Sequence, residues 1–273
     1  SVEAGQSPTA ICTDGDLIWV ADAGDNKIRA FDAHTLRQQW TATTGARPVA
    51  MAAGLGAIWV VTGDAKLLKL DPRTGHLLKT ARTSLDPVAI DVAFGKVWIL
   101  AAGNRTVDRY DPTTVAQTGS AILDGAGTGL TDSIDALWVV MPDGLRRIDP
   151  ATTDLQVRSF PIAGSPRAAV VDSTNTSVWV QLASGGVVTV DPATGAVKRR
   201  VALSAAATAL TRADAGIVVS TADGRLQLLT TTTVNAALLA TTGVPLDALA
   251  VGADVLVGTS AGTTLLYATE VAR

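Results

Sequence analysis

Four charged residues stand where the matching segments of the chain are apolar or small. Asp91, Asp132, Arg212 and Asp247 lie on or at the ends of short strand-like runs whose counterparts carry Ala, Val or similar residues. If such runs line a narrow opening, their charges need partners or water, because an unpaired buried charge is costly. Carboxylates beside a guanidinium could hold an ion or a small polar ligand; a hydrated opening satisfies them equally well. Arg47, Asp86, Arg105 and Arg167 join Asp91, Arg212 and Asp247 as binding candidates, since each falls in a loop or strand-end slot that recurs along the chain. The sequence offers no Ser-His-Asp set, no Cys-His pair and no His cluster at metal spacing. The expectation is no catalytic residue, no metal and no cofactor.

These slots can be compared because the chain repeats. Trp19, Trp59, Trp98, Trp138 and Trp179 follow one another at 40, 39, 40 and 41 residues, each inside an apolar run. A fixed period of 20–50 residues marks a repeat architecture. Each unit opens on a turn ending in proline (Pro8, Pro48, Pro87, Pro166), then a short strand, a tight turn and the tryptophan strand. A third strand ends in an Asp-Pro-x-Thr turn, at Asp71-Pro72, Asp111-Pro112, Asp149-Pro150 and Asp191-Pro192, with Asp32-Ala33 a degenerate copy. Asp caps such a turn and Pro presets its φ. A more polar fourth strand leads to the next unit, and no segment shows a helical apolar period.

Gly216–Ser220 and Asp254–Gly258 keep the frame with Val218 and Leu256 in the aromatic slot, giving seven units. The expected fold is all-β: a seven-bladed β-propeller of four-stranded antiparallel blades, the ring closed by the N-terminal strand joining the last blade. One domain spans 1–273, with blades near 8–44, 45–83, 84–123, 124–162, 163–203, 204–241, and 242–273 plus 1–4.

The same frame demotes the most conspicuous side chains. Tryptophans at one mid-strand slot are expected between blades rather than on ligands. Trp40, alone on a fourth strand, is either rim packing or an exposed contact. The five turn aspartates are spread round a perimeter and cannot converge on one ion. A net charge of −3 argues against a nucleic-acid partner. No apolar run approaches the ~20 residues that cross a bilayer, so this segment is not expected to insert in a membrane. Cys12 is the single cysteine, which excludes an intrachain disulfide.

The pattern Gly-x-x-Pro, Ile-Trp-Val, Ile-Asp-Pro-x-Thr-Gly resembles bacterial YVTN-type and streptogramin-lyase-like propellers, with a looser likeness to NHL repeats. The resemblance covers essentially the whole chain and implies fold more than function. Similar propellers occur as extracytoplasmic domains of receptor-type bacterial Ser/Thr kinases. The lyases of this group imply a His and Glu set with magnesium; here the histidines are His34 and His76, in or beside outer turns, and the glutamates Glu3 and Glu270 lie at the closure. The expected function is a non-enzymatic binding or sensor module on a propeller face. Its partner would be a protein, a small molecule or a cell-envelope ligand. The chain would be a monomeric domain of a membrane-anchored protein outside the cytoplasm, although a cytoplasmic location stays open. The alternative is a divalent-metal-dependent lyase or lactonase-like hydrolase acting at the channel mouth.

Overall fold

The computed structural model describes residues 2–3, 5–230, 237–252, 255–259 and 265–270, and every regular element among them is a β-strand. Blade 1 comprises Pro8–Asp14, Leu17–Asp22, Lys27–Asp32 and Gln38–Thr43; blade 2 comprises Pro48–Gly54, Ala57–Thr62, Lys66–Leu70 and Leu77–Arg82. Blade 3 is Pro87–Ala93, Lys96–Ala101, Thr106–Tyr110 and Gln117–Ile122; blade 4 is Gly129–Asp132, Leu137–Met141, Gly144–Ile148 and Val157–Pro161. Blade 5 is Pro166–Val171, Val178–Leu182, Val187–Val190 and Val197–Val201; blade 6 is Ala207–Ala213, Gly216–Thr221, Arg225–Leu229 and Ala237–Thr241. In each, four consecutive strands pair in chain order. The first strands of successive blades touch one another, so they form the inner wall of the propeller.

The expected count of seven blades is corrected to six by this topology, while the expected closure by the N-terminal strand is present. Six blades are self-contained, each made of four consecutive strands. The remaining sheet is composite: Ala248–Gly252, Val255–Thr259 and Leu265–Glu270 come from one end of the chain, and the two-residue strand Val2–Glu3 comes from the other. Val2 pairs with Leu266 and Glu3 with Leu265. The physical reason is edge pairing: this sheet holds three consecutive strands, and backbone from Val2–Glu3 covers the outer edge of the third. The first strand of this sheet touches those of blades 1 and 6. Of the expected closing region, residues 1, 4 and 271–273 lie outside the described residues, as does Asp254.

Packing explains the repeat. The tryptophan strands are nearly or wholly buried along their length, because both of their faces meet neighbouring blades. All five tryptophans on them are buried, and Val218 fills the same slot in blade 6. Four indole N–H groups also tie down the turn before the tryptophan strand. Trp59 donates to the Gly54 carbonyl at 3.0 Å, Trp98 to Ala93 at 3.0 Å, Trp138 to Ser133 Oγ at 3.2 Å and Trp179 to Asp172 Oδ2 at 3.4 Å.

The Asp-Pro turns act between blades. Asp71 Oδ1 accepts the N–H groups of Arg73 and Thr74, each at 2.9 Å. Lys69 Nζ crosses from blade 2 to the Pro112 carbonyl of blade 3 at 2.8 Å while lying 5.1 Å from the Trp59 ring centroid. Trp40 is rim packing: its Nε1 donates to the Pro72 carbonyl at 3.1 Å and its ring rests on Gly75. The N-terminal segment is anchored in a similar way. The buried Asp22 carboxylate accepts the N–H groups of Gln6 and Ser7 at 2.7 Å and Gly24 at 2.9 Å.

Candidate functional site

The first strands show where otherwise similar blades depart from one another. Opposite the tryptophan slot stand Cys12, Ala52, Asp91, Thr131, Val170 and Thr211 in blades 1 to 6. One residue further toward the turn come Thr13, Ala53, Val92, Asp132, Val171 and Arg212. Directly paired residues of antiparallel strands share a face. Asp91 therefore shares a face with Trp98, and Asp132 with Leu137, and those two side chains belong to one cluster between blades 3 and 4. The two carboxylates enter that interface from opposite sides at its inner rim. Arg212 shares a face with Ile217, which packs toward blade 5. Its guanidinium nevertheless lies 3.8 Å from Asp132 Oδ1, linking blade 6 to blade 4 past the inner edge of blade 5.

Burial, and then the negative charge of Asp132, push the Asp91 carboxyl up to about 7. The Val92 N–H, which donates to Asp91 Oδ1 at 2.8 Å, and the charge of Arg212 only partly offset this. Asp132 and Arg212 are 31% and 46% exposed, so their ion pair is partly hydrated and worth about 0–1 kcal/mol. The site therefore holds two facing carboxylates with one partly committed cation. It is short of positive charge, and an arriving ammonium or guanidinium would stabilise the ionised form of Asp91. Among the described residues no three His, Cys, Asp or Glu side chains gather as a metal cluster. Burial, with the charge of Asp14, raises the Cys12 thiol well above its ordinary range, leaving it a poor nucleophile.

The other candidates sit at the opposite end, where fourth strands connect to first and second strands to third. Arg47 and Asp86 immediately precede Pro48 and Pro87, and both are exposed. Their carbonyls accept from Gly63 and Ala102, at 2.8 and 2.9 Å. Arg105 is exposed in the loop before Thr106, and Arg167 is the extra residue of the bulge between Pro166 and Ala168. Asp247 is exposed ahead of Ala248–Gly252, and its N–H donates to the Thr259 carbonyl at 2.9 Å. The seven candidates thus divide. Asp91 and Arg212 converge with Asp132, while Arg47, Asp86, Arg105, Arg167 and Asp247 ring the far mouth.

Several features escaped the sequence. Arg146 is buried at the rim of blade 4, gripping Asp124 with two bonds of 2.9 Å and also reaching Asp143. Asp108 is buried with Oδ1 bonded to Ser120 at 2.6 Å and Oδ2 without a protein partner. Exposed Leu55, Phe94 and Ile134 occupy the tips of the first-to-second-strand hairpins of blades 2, 3 and 4, at the same end as Asp91 and Asp132. Each stands four residues before its tryptophan, so slot comparison could have found them. Ile134 also borders a cavity of about 310 Å³, lined by Arg147, Arg158 and Asn175 among others.

The fold and its channel place the chain among β-propellers built of four-stranded antiparallel blades. Residues 3–125, somewhat under half of the chain, match the PQQ_2 family, described as outer membrane protein assembly factor BamB. The structure is similar to a chain of Kuenenia stuttgartiensis hydrazine synthase, with a TM-score of 0.82 at 12% identity over 98% of this chain and 96% of that one. With 1755 solved chains matching, the shared fold says little about activity. No curated protein matches the sequence. No helix among the described residues is long and apolar enough to cross a membrane.

Proposed function

We propose that the chain is a non-enzymatic binding module of the bacterial cell envelope, engaging a protein partner on the channel end that carries Asp91, Asp132 and Arg212. The observation that carries this reading is local. Six blades built to one plan depart from it on their inner strands, where three charges from blades 3, 4 and 6 face a common opening. The match of residues 3–125 to a family described as an outer membrane protein assembly factor supports an extracytoplasmic location and a protein partner. A sensor role within a larger membrane-anchored protein follows the same logic, with the partner or ligand seated on this end.

The test is photo-crosslinking in cells. A benzophenone amino acid is placed in turn at Gly15, on the Asp91 end, and at Arg105, on the far mouth. A discrete protein adduct from Gly15 supports the reading; adducts from neither position overturn it, and an adduct from Arg105 alone moves the site to the other face.

A second reading has one observation in its favour, namely that Asp91 faces Asp132. Two carboxylates could share a divalent ion in a hydrolase-like or lyase-like enzyme. Calorimetric titration with Mg²⁺, Ca²⁺ and Mn²⁺ separates the two, since saturable heat lost in Asp91→Asn would favour the metal.

A further inference from the structure

We propose that Leu55, Phe94 and Ile134 form the seat for a segment of a partner protein that carries apolar side chains next to lysine or arginine. This rests on the binding reading above and names its surface.

Backbone conformation sets two of these tips apart. Leu55 and Phe94 have φ of 53° and 55°, and the glycines after them have 71° and 67°. Both hairpins thus use left-handed geometry at two successive residues, which glycine and asparagine accept and bulky side chains resist. The matching positions of blades 1 and 5 obey that preference, with Gly15 at 56° and Asn175 at 57°. Blades 2 and 3 instead hold Leu and Phe there, 46% and 39% exposed, and Ile134 in blade 4 is 77% exposed. The blade plan does not require bulk at this position, because blade 1 has none there and a Cβ placed at Gly15 would meet nothing within 4 Å. Strain kept in the native state by side chains left 46% and 39% exposed points to an external contact.

Charge distinguishes the same end of the channel. The three tips belong to neighbouring blades and lie at the end of the channel where Asp91 and Asp132 face each other. Asp14 and Asp16 flank the hairpin of blade 1, and Asp214 stands at the tip in blade 6. Three nearby cations are engaged by acids, Lys96 with Asp111 at 3.0 Å, Arg147 with Asp135 at 2.7 Å and Arg212 with Asp132, and Arg158 beside Ile134 lies over the Phe160 ring, so carboxylates still outnumber cations at this end. An apolar arc beside an opening with surplus negative charge is complementary to an apolar segment bearing positive charge.

The test uses a fluorescein-labelled decapeptide of alternating Lys and Leu, with Glu–Leu and Lys–Ser decapeptides as controls, followed by polarisation against the whole chain. The Lys–Leu peptide is expected to bind about ten-fold more tightly than either control, and Leu55→Asn with Phe94→Asn to weaken it by about ten-fold or more. The double variant should melt at the same or a higher temperature, since Asn accepts the left-handed turn, so lost binding cannot be ascribed to misfolding. Equal binding by the variant, equal binding of the Glu–Leu peptide, or no binding of the Lys–Leu peptide overturns the proposal. A cellular adduct from Arg105 together with peptide failure would sink this surface while leaving a binding module in place.

Discussion

At the scale of single residues, Asp91 is the most consequential group. Its folded-state pKa lies above the ordinary carboxylate value, at about 7, chiefly through burial and then the charge of Asp132. The carboxyl is therefore favoured in its neutral form. That stability is full below about pH 4 and is lost as pH rises through about 7, because the folded state must then carry the charge. Asp91→Asn should consequently gain on the wild type as pH rises. Urea denaturation at pH 5 and pH 8 is expected to show the gap widening, to about 1–2 kcal/mol at pH 8 after allowing for water in the channel. A constant gap would mean that Asp91 is already ionised and compensated. The sequence marked this residue by slot comparison alone. It could not show that Asp132, one position out of register with Asp91, faces it across a blade interface.

At the scale of elements, the Asp-Pro turn is a brace between blades. Gly75 combines a φ of 71° with a position where a Cβ would come within 2.6 Å of the Trp40 ring. Gly45 has a similar φ of 75° but open space around it. Gly75→Ala is expected to cost about 2–3 kcal/mol and Gly45→Ala about 1 kcal/mol, the difference measuring the clash with Trp40. Equal losses in thermal or chemical denaturation would show that Trp40 yields freely. Packing also overrides turn preference elsewhere: Val115 adopts a φ of 62° because its side chain is buried against blades 2 and 3. The turns were legible as Asp-Pro-x-Thr. Their use as seats for Trp40 and Lys69 was not, since those partners arrive from the preceding blade.

For the whole molecule, the decisive feature is how the two ends meet. Val2–Glu3 adds two residues of backbone to the composite sheet, and the chain then enters blade 1 under the control of Asp22. Burial alone would raise the Asp22 carboxyl, but the N–H groups of Ser7, Gly24 and Gln6, with Arg29, outweigh it and hold the group below its usual range. Its stabilisation is thus present above the ordinary carboxylate pKa and lost as pH falls below it. Asp22→Ala should remove about 3 kcal/mol at neutral pH, leaving three N–H groups without their acceptor and Arg29 with Asp25 alone, and should blunt the acid limb of the stability profile. A loss confined to a few tenths of a kcal/mol in a pH series would show that this segment is not structurally coupled to the rest.

The sequence by itself determined the repeat, the four-strand unit, the buried role of the tryptophans and the turn role of the aspartates, because these follow from period, alternation and local backbone chemistry. It also pointed to Asp91, Asp132 and Arg212 as departures from the repeat. The closing strand from the other end of the chain was legible there too; only the tertiary structure decided that six blades, rather than seven, stand on their own. Only the structure brought those three charges to one end of the channel and sent Arg47, Asp86, Arg105, Arg167 and Asp247 to the other. It also revealed strained Leu55 and Phe94 beside them. The reason is geometric: each blade is specified locally, but what shares an opening is fixed by how the blades close on one another around the ring.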